Sequence, residues 1–315
     1  MTDIVNTTES PLGQQPPDDT VVSTAPRKRR IPKLGMLVGL IWLIGLTVLT
    51  VFADYFPFLR LPGVGVLVDG KKQLSYKLGP GDVAWFGVDN LGRDVFAMCI
   101  YYARNSLQIG VSSTLIGIAV GGTLGVVAGY FRGWVDRVVS IIVDCLLALP
   151  ALVLAIMLIS RLDDVKAEYA FLEWMTRKWQ IILTLSVLAI APLARIVRAQ
   201  TLSLREREFV LAARSVGASN KRIILREIVP NLIPTMVTVA FTSLGILIAA
   251  EGALAFLGLG LNESWGSMIE GNRQRLEKAW WATVFPCLML FLTVFAFNLV
   301  GDRLARRFDI REAAV

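Results

Sequence analysis

Six long apolar runs, separated by polar segments that carry most of the charge, dominate the chain: residues 34–56, 106–130, 138–159, 181–197, 232–250 and 281–300. An α-helix needs about 20 apolar residues to cross a hydrocarbon core roughly 30 Å thick. The pattern predicts an all-α, polytopic membrane protein of six transmembrane helices. It divides the chain into a polar tail (1–33), a first span (34–56), an outer loop (57–105), a core of five further spans (106–303) containing a long inner loop (198–231), and a second tail (304–315). The first tail is rich in Pro, Thr and Asp and reads as disordered. It ends in Arg27, Lys28, Arg29, Arg30 and Lys33, a basic cluster that holds the flank of a span in the cytoplasm. Six crossings return the C-terminus to that side. Counted along the sequence, the inner segments carry a net charge of +8 and the outer ones +2, the sign that the positive-inside rule expects. The first run begins too late and is too long to be the apolar part of a cleaved signal peptide.

Composition sharpens this picture. The chain is 55% hydrophobic and only 18% charged, against about 25% charged in soluble domains. The net charge of +7 follows from membrane orientation and needs no nucleic-acid partner. No histidine is present, which excludes His general bases, His-led triads and His metal ligands together. Cys99, Cys145 and Cys287 are far apart and lie in or beside apolar runs. They suit small packing residues better than a zinc site or a disulfide, and no metal site is expected. The stretch from Gly65 to Lys72 comes near a phosphate-binding loop, but Lys72 stands where Ser or Thr must hold magnesium. A tight turn between two short strands accounts for its glycines.

Four local features carry chemistry or mechanics. Glu206 to Pro230 is a basic island between two apolar runs. Residues 207–215 suit a short helix, Gly217 the left-handed position past its end, Ser219 or Asn220 the cap of a second helix, and Pro230 its end or a kink. Two short helices meeting at a glycine make an elbow that can pass a push to the flanking spans. In the second run Gly117, Gly121, Gly125 and Gly129 recur every fourth residue; a helix side so bare lets a neighbour approach its backbone. Before that run, Asp89 or Asn90 can cap a helix leading through Arg93 and Asp94 toward Arg104. This reads as an amphipathic helix on the outer surface, its charges at headgroup level. Asp144 and Glu251 fall in or at the ends of apolar runs. A carboxylate there is costly unless paired and is by default a candidate for the pore or its gate.

Ala212, Ala213, Gly217, Ile228 and Pro230, with Ala218 and Ser219 between them, resemble the loop by which ABC-importer permeases engage their ATPases. Leu211 stands where that pattern has Glu, and the nearest acid is Glu208. Asp89, Leu91, Gly92, Arg93, Asp94, Val95, Phe96, Ala103, Arg104, Ser106 and Leu107 resemble the outer signature of C-type permeases of dipeptide and oligopeptide importers, with Val88 replacing a Thr. Further matches lie at Asp144 and Pro150, at Glu251–Gly260, at Trp265–Met268, and from Asn298 through Asp309 and Arg311.

The chain thus resembles the C-type permease subunit of a dipeptide, oligopeptide or nickel ABC importer. The resemblance implies a MetI-like permease fold in the cell membrane and a non-enzymatic subunit that binds no cofactor. ATP and magnesium would sit on one or two cytoplasmic ABC ATPases, beside a second, B-type permease and an extracytoplasmic substrate-binding protein. Di- and oligopeptides are the expected cargo, with nickel, glutathione or another small solute as the alternative. An ion-coupled secondary transporter using Asp144 and Glu251 is the reading from another class, but the sequence shows no inverted repeat to support it. An intramembrane enzyme lacks a nucleophile, a base and paired acids.

Overall fold

The computed structural model describes residues 33–61, 65–68, 71–72, 78–81, 83–169 and 172–312. The expected tail 1–33, with its basic cluster, lies outside them except for Lys33, as do residues 69–70 of the expected turn. Helix α1 (Lys33–Val51) is followed by a two-residue antiparallel hairpin, β1 (Leu67–Val68) and β2 (Lys71–Lys72), in register Leu67 to Lys72. The stretch resembling a phosphate loop therefore holds two short paired strands. Then come α2 (Val95–Phe131), α3 (Gly133–Ala148), α4 (Ala151–Glu168), α5 (Arg177–Arg205), α6 (Glu208–Ser215), α7 (Asn220–Ile223), α8 (Val229–Phe256), α9 (Trp265–Asn272), α10 (Leu276–Ala279) and α11 (Trp281–Glu312).

Among the described residues four helices are long and apolar enough to span a membrane alone, those holding the second, fourth, fifth and sixth apolar runs. The first run forms a shorter apolar helix over Gly35–Val51. The third departs from expectation: it is no single rod, because α3 and α4 meet at 98°. Pro150 supplies no amide hydrogen and forces Leu149 into extended backbone (φ −84°, ψ 136°), which ends α3 there. The two pieces are then held by different neighbours. Ala155 and Ile159 of α4 are buried in one cluster with Ile181 and Leu185 of α5, whereas α3 buries little besides Val143. Pro192, Pro234 and Pro286 lie inside helices that continue past them.

The largest helix–helix interface joins α2 and α5, and the glycine ladder is its reason. A methyl placed on Gly117 would lie 2.7 Å from the Ala189 Cβ, on Gly121 2.7 Å from the Ile190 carbonyl oxygen, on Gly125 2.7 Å from that of Ala194, and on Gly129 2.7 Å from the Thr201 Cβ. All four face α5 over three turns, so α2 places no side chain of its own at these positions and α5 lies directly against its backbone. Helix α8 packs on α2 and α11, and α1 lies along α11, where Gly39 sits close to the Ala296 carbonyl.

The end of the bundle opposite the α5–α8 connection carries a cap. Trp265 of α9 is fully buried and donates its indole N–H to the Cys99 carbonyl at 2.8 Å. Trp281 donates likewise to the Val88 carbonyl at 2.9 Å, its ring lying over Gly87 (φ +72°), where a Cβ would meet it at 2.6 Å. The first turns of α2 run through this cap. Residues 97–103 are buried throughout, so they do not form the surface-lying amphipathic helix expected from the sequence. The charges of Arg93, Asp94 and Arg104 flank a stretch, 95–103, that is apolar throughout, and α9, α11 and the preceding loop enclose it.

Overpacking a tight contact costs about 1–3 kcal/mol. Gly121→Val should therefore lower the thermal unfolding midpoint of the purified chain, followed by tryptophan fluorescence. Gly45→Ala, at a position with nothing within 4 Å, should change stability by less than about 0.5 kcal/mol. Equal midpoints for the two variants would contradict the backbone contact.

Candidate functional site

The elbow begins at the end of α6. Gly217 has φ +80°; its amide donates to the Arg214 carbonyl at 3.0 Å, and the Ala218 amide donates to the Ala213 carbonyl at 3.1 Å. This crossed pair is a Schellman cap, and it explains the spacing read from the sequence. Ala213 and Gly217 are four residues apart because the cap needs them at the third position from the helix end and the first left-handed position beyond it. Ala213 and Ala218 lie together against a cluster formed by Val126, Tyr130, Val197, Val210, Ile223, Ile228 and Leu232. Ser219 caps α7, accepting from the Arg222 amide at 3.4 Å, as the sequence allowed.

Pro230 behaves differently from expectation, since it ends nothing. Residues Ile224–Ile228 form a π turn in which the Val229 amide reaches back to the Ile224 carbonyl. The helix then continues, so that Asn220–Phe256 is one apolar rod of 37 residues. Pro230 cannot donate to the Arg226 carbonyl, and the wider turn just before it shifts the hydrogen-bond ladder so that the proline falls in the opening turn of α8. The second arm of the elbow is thus an extension of the fifth span itself.

The elbow is seated on the bundle and open to the outside. Val210, Ile223 and Ile228 are buried beneath it, and the Tyr130 hydroxyl donates to Asn220 Oδ1 at 2.7 Å. On its far side Leu211 and Val216 are exposed, Val216 to 89%. Between α6 and α7 lies a concavity of about 360 Å³ lined by Ala212, Ala213, Gly217 and Arg222 among others. Ala212, Ala213, Gly217, Ala218 and Ser219 are therefore brought together, while Ile228 faces inward and Pro230 lies above it.

At the opposite end, Asp89 is buried to 1% and organises a loop. Its Oδ1 accepts from the amides of Leu91 (2.9 Å) and Arg93 (2.8 Å), and its Oδ2 from the Arg93 guanidinium at 2.7 and 2.6 Å. Gly92 (φ +73°) makes that turn. The helix cap is Asp94, not Asp89 or Asn90: its Oδ1 accepts from the amides of Phe96 (2.9 Å) and Ala97 (3.2 Å). Arg93 and Asp94 thus hold loop and helix together. Nearby, Arg104 donates to the Thr50 and Val51 carbonyls at the end of α1 and to Asp54.

The two intramembrane acids lie apart and in opposite settings. Glu251 is fully buried and accepts from the Ser106 hydroxyl at 3.2 Å, and that hydroxyl in turn accepts from the Trp265 amide at 3.4 Å. It braces α8, α2 and α9 and faces no open space. Asp144, expected as a buried carboxylate, is 62% exposed and paired with Arg195 of α5. Three groups passed over in the sequence complete the polar set. Arg198 forms a two-pronged pair with Asp136, Arg132 pairs with Glu206, and Lys178 reaches Asn105 and Gln108. Arg195 and Arg198 at the end of an apolar run, against Asp136 and Asp144 in the preceding one, were the available signal.

A family model described as binding-protein-dependent transport system inner membrane component matches residues 121–312. The dipeptide transport system permease protein DppC of Alkalihalophilus pseudofirmus is 32% identical over 302 residues, 93% of this chain and 93% of that one. The glutathione transport system permease protein GsiD of Pectobacterium atrosepticum is 36% identical over 234 residues, 73% of this chain and 74% of that one. Its Escherichia coli namesake is 39% identical over the same length, covering 73% of each. Among solved structures, the inward-facing MetNI methionine ABC transporter aligns with a TM-score of 0.55 at 20% identity, over 68% of this chain and 97% of that one. That likeness bears on the fold.

Removing one partner of a buried ion pair costs roughly 3–5 kcal/mol. Asp89→Ala strips Arg93 and two amides of their acceptor, and it should destabilise the purified chain by about 3 kcal/mol, the low end because Arg93 is a quarter exposed. Thermal unfolding checks this, and a midpoint within a degree of the parent would refute the organising role.

Proposed function

The chain belongs to the binding-protein-dependent transport system inner membrane component family, and from that premise we propose that it is one of two homologous permeases of an ATP-driven importer of small peptides. The second permease is of the B type. One or two ABC ATPases bind from the cytoplasm and carry the ATP and magnesium. A binding protein delivers cargo to the outer face. Both termini lie on the cytoplasmic side, with the elbow. The relatives named above are a dipeptide permease and two glutathione permeases, and a short peptide with charged ends is the chemistry common to them.

The observation that carries this reading is the continuity of the elbow with the fifth span. An ATPase seated on the exposed side of α6 and α7, against Leu211 and Val216, moves the helix from Asn220 to Phe256 as one lever. The fixed Schellman turn transmits the push without bending, and the buried side chains beneath it carry part of the load to α2 and α5. Leu211 offers an apolar contact where a carboxylate would offer an ionic one, so docking here depends on burial more than on charge.

Gly217→Pro cannot adopt φ +80°, because proline holds φ near −65°. In the assembled transporter in liposomes it should cut ATP-driven peptide uptake at least about tenfold, an added barrier of roughly 1.4 kcal/mol or more. ATP hydrolysis and co-purification of the subunits should persist. Normal uptake by this variant would overturn the lever.

A further inference from the structure

Three ion pairs climb the inner half of the bundle: Arg132–Glu206 at the elbow, then Arg198–Asp136, then Arg195–Asp144. Rise along the helix gives the depth. Asp144 lies eleven residues into α3 and Arg195 ten residues before the end of α5. At 1.5 Å per residue Asp144 lies about 9 Å inside the third apolar run, which starts at 138, and Arg195 about 3 Å inside the fourth, which ends at 197, so the pair sits in the inner part of a hydrocarbon core roughly 30 Å thick. Exposure runs opposite to depth over the last two pairs. Arg198 and Asp136 are 33% and 21% exposed, whereas the deeper Arg195 and Asp144 are 58% and 62% exposed.

A charge that faces lipid inside the hydrocarbon is costly, and a pair with over half its surface open keeps part of that cost. The pair must therefore face something polar that this chain does not supply. We propose that Asp144 and Arg195 line the water-filled path between the two permeases and lend their charges to the ends of a passing peptide, the ammonium to Asp144 and the carboxylate to Arg195. The proposal rests on the reading of the chain as half of a two-permease importer. The setting suits a waypoint. The pair satisfies itself when the path is empty, and its outer oxygens and N–H groups stay free to exchange partners. Binding of that kind is weak enough for cargo to leave again. Glu251, the other intramembrane acid, is sealed and serves no such purpose.

The test uses the complete transporter in liposomes, with Cys145→Ala and Cys287→Ala removing the two exposed thiols and buried Cys99 retained. Asp144→Cys places a thiol at the pair, and Ala148→Cys places one a helical turn away with the pair intact. Impermeant charged methanethiosulfonates should modify both within about tenfold of the rate at Ser215→Cys on the elbow, and cargo with ATP should slow the reaction severalfold. Reaction with uncharged maleimide alone would put the pair against lipid, and no reaction at all would seal it into a permease–permease contact; either overturns the proposal. The neutral pair Asp144→Asn with Arg195→Gln should lower peptide uptake at least about fivefold with the subunits still co-purifying, and unchanged uptake would refute the contact with cargo. Uptake by the background complex tests the importer reading separately, because labelling is read whether or not cargo moves.

Discussion

The four glycines at 117, 121, 125 and 129 set how near α5 can stand to α2, and most of the molecule is placed by that distance. In lipid the burial of apolar side chains gives helices no reason to associate, so what holds them is close packing and polar contact. The glycine face supplies the packing over three turns. It also carries a cost of about 1 kcal/mol per glycine in a helix interior, on a scale measured in water. Contact with α5 is what offsets it. Once α5 is fixed, the seat of the elbow follows, since Val126 and Tyr130 of α2 and Val197 of α5 are three of the seven residues in the cluster beneath it.

At the elbow, two departures from regular helix are what allow regularity elsewhere. The left-handed Gly217 reverses the chain within two residues, so α6 and α7 lie against one cluster. The π turn at 224–228 re-registers the ladder ahead of Pro230, so α7 and α8 form one rod. Without the second, the proline would leave a carbonyl unpaired or break the helix. The elbow would then end in a joint, and a force applied at its tip would be lost there.

The span pattern, the elbow with its glycine, the cap at Ser219 and the hairpin between Gly65 and Lys72 were legible because each depends on neighbours a few residues apart. What the sequence hid depends on distant partners. Pro150 and Pro192 look alike locally, yet one ends a helix and the other does not; the difference lies in which surfaces hold the flanking segments. The start of α2 has the flanking charges of a surface helix, and the docking of Trp265 and Trp281 shows that it is buried. Asp144 and Glu251 are both isolated carboxylates among apolar residues. Their opposite settings are decided by Arg195 and Ser106, which lie 51 and 145 residues away.

Helix α3 shows most plainly how these constraints combine. It is bounded at one end by Arg132 and Gly133, with φ of +55° and +63°, and at the other by the extended Leu149. A helix joined to its neighbours by non-helical residues at both ends takes its position from contacts and not from chain continuity. Those contacts include Val143 in one cluster with Ala191 and Ala194 of α5 and Leu124 of α2, and the pairs of Asp136 and Asp144 with Arg198 and Arg195. The charges come from opposite helices, and each acid has its own arginine, so the register of α3 along α5 is fixed. A slide by one turn would leave at least one charge without its partner, which is costly in a way that sliding an apolar seam is not. The seam is therefore specified by electrostatics where packing alone would leave it loose.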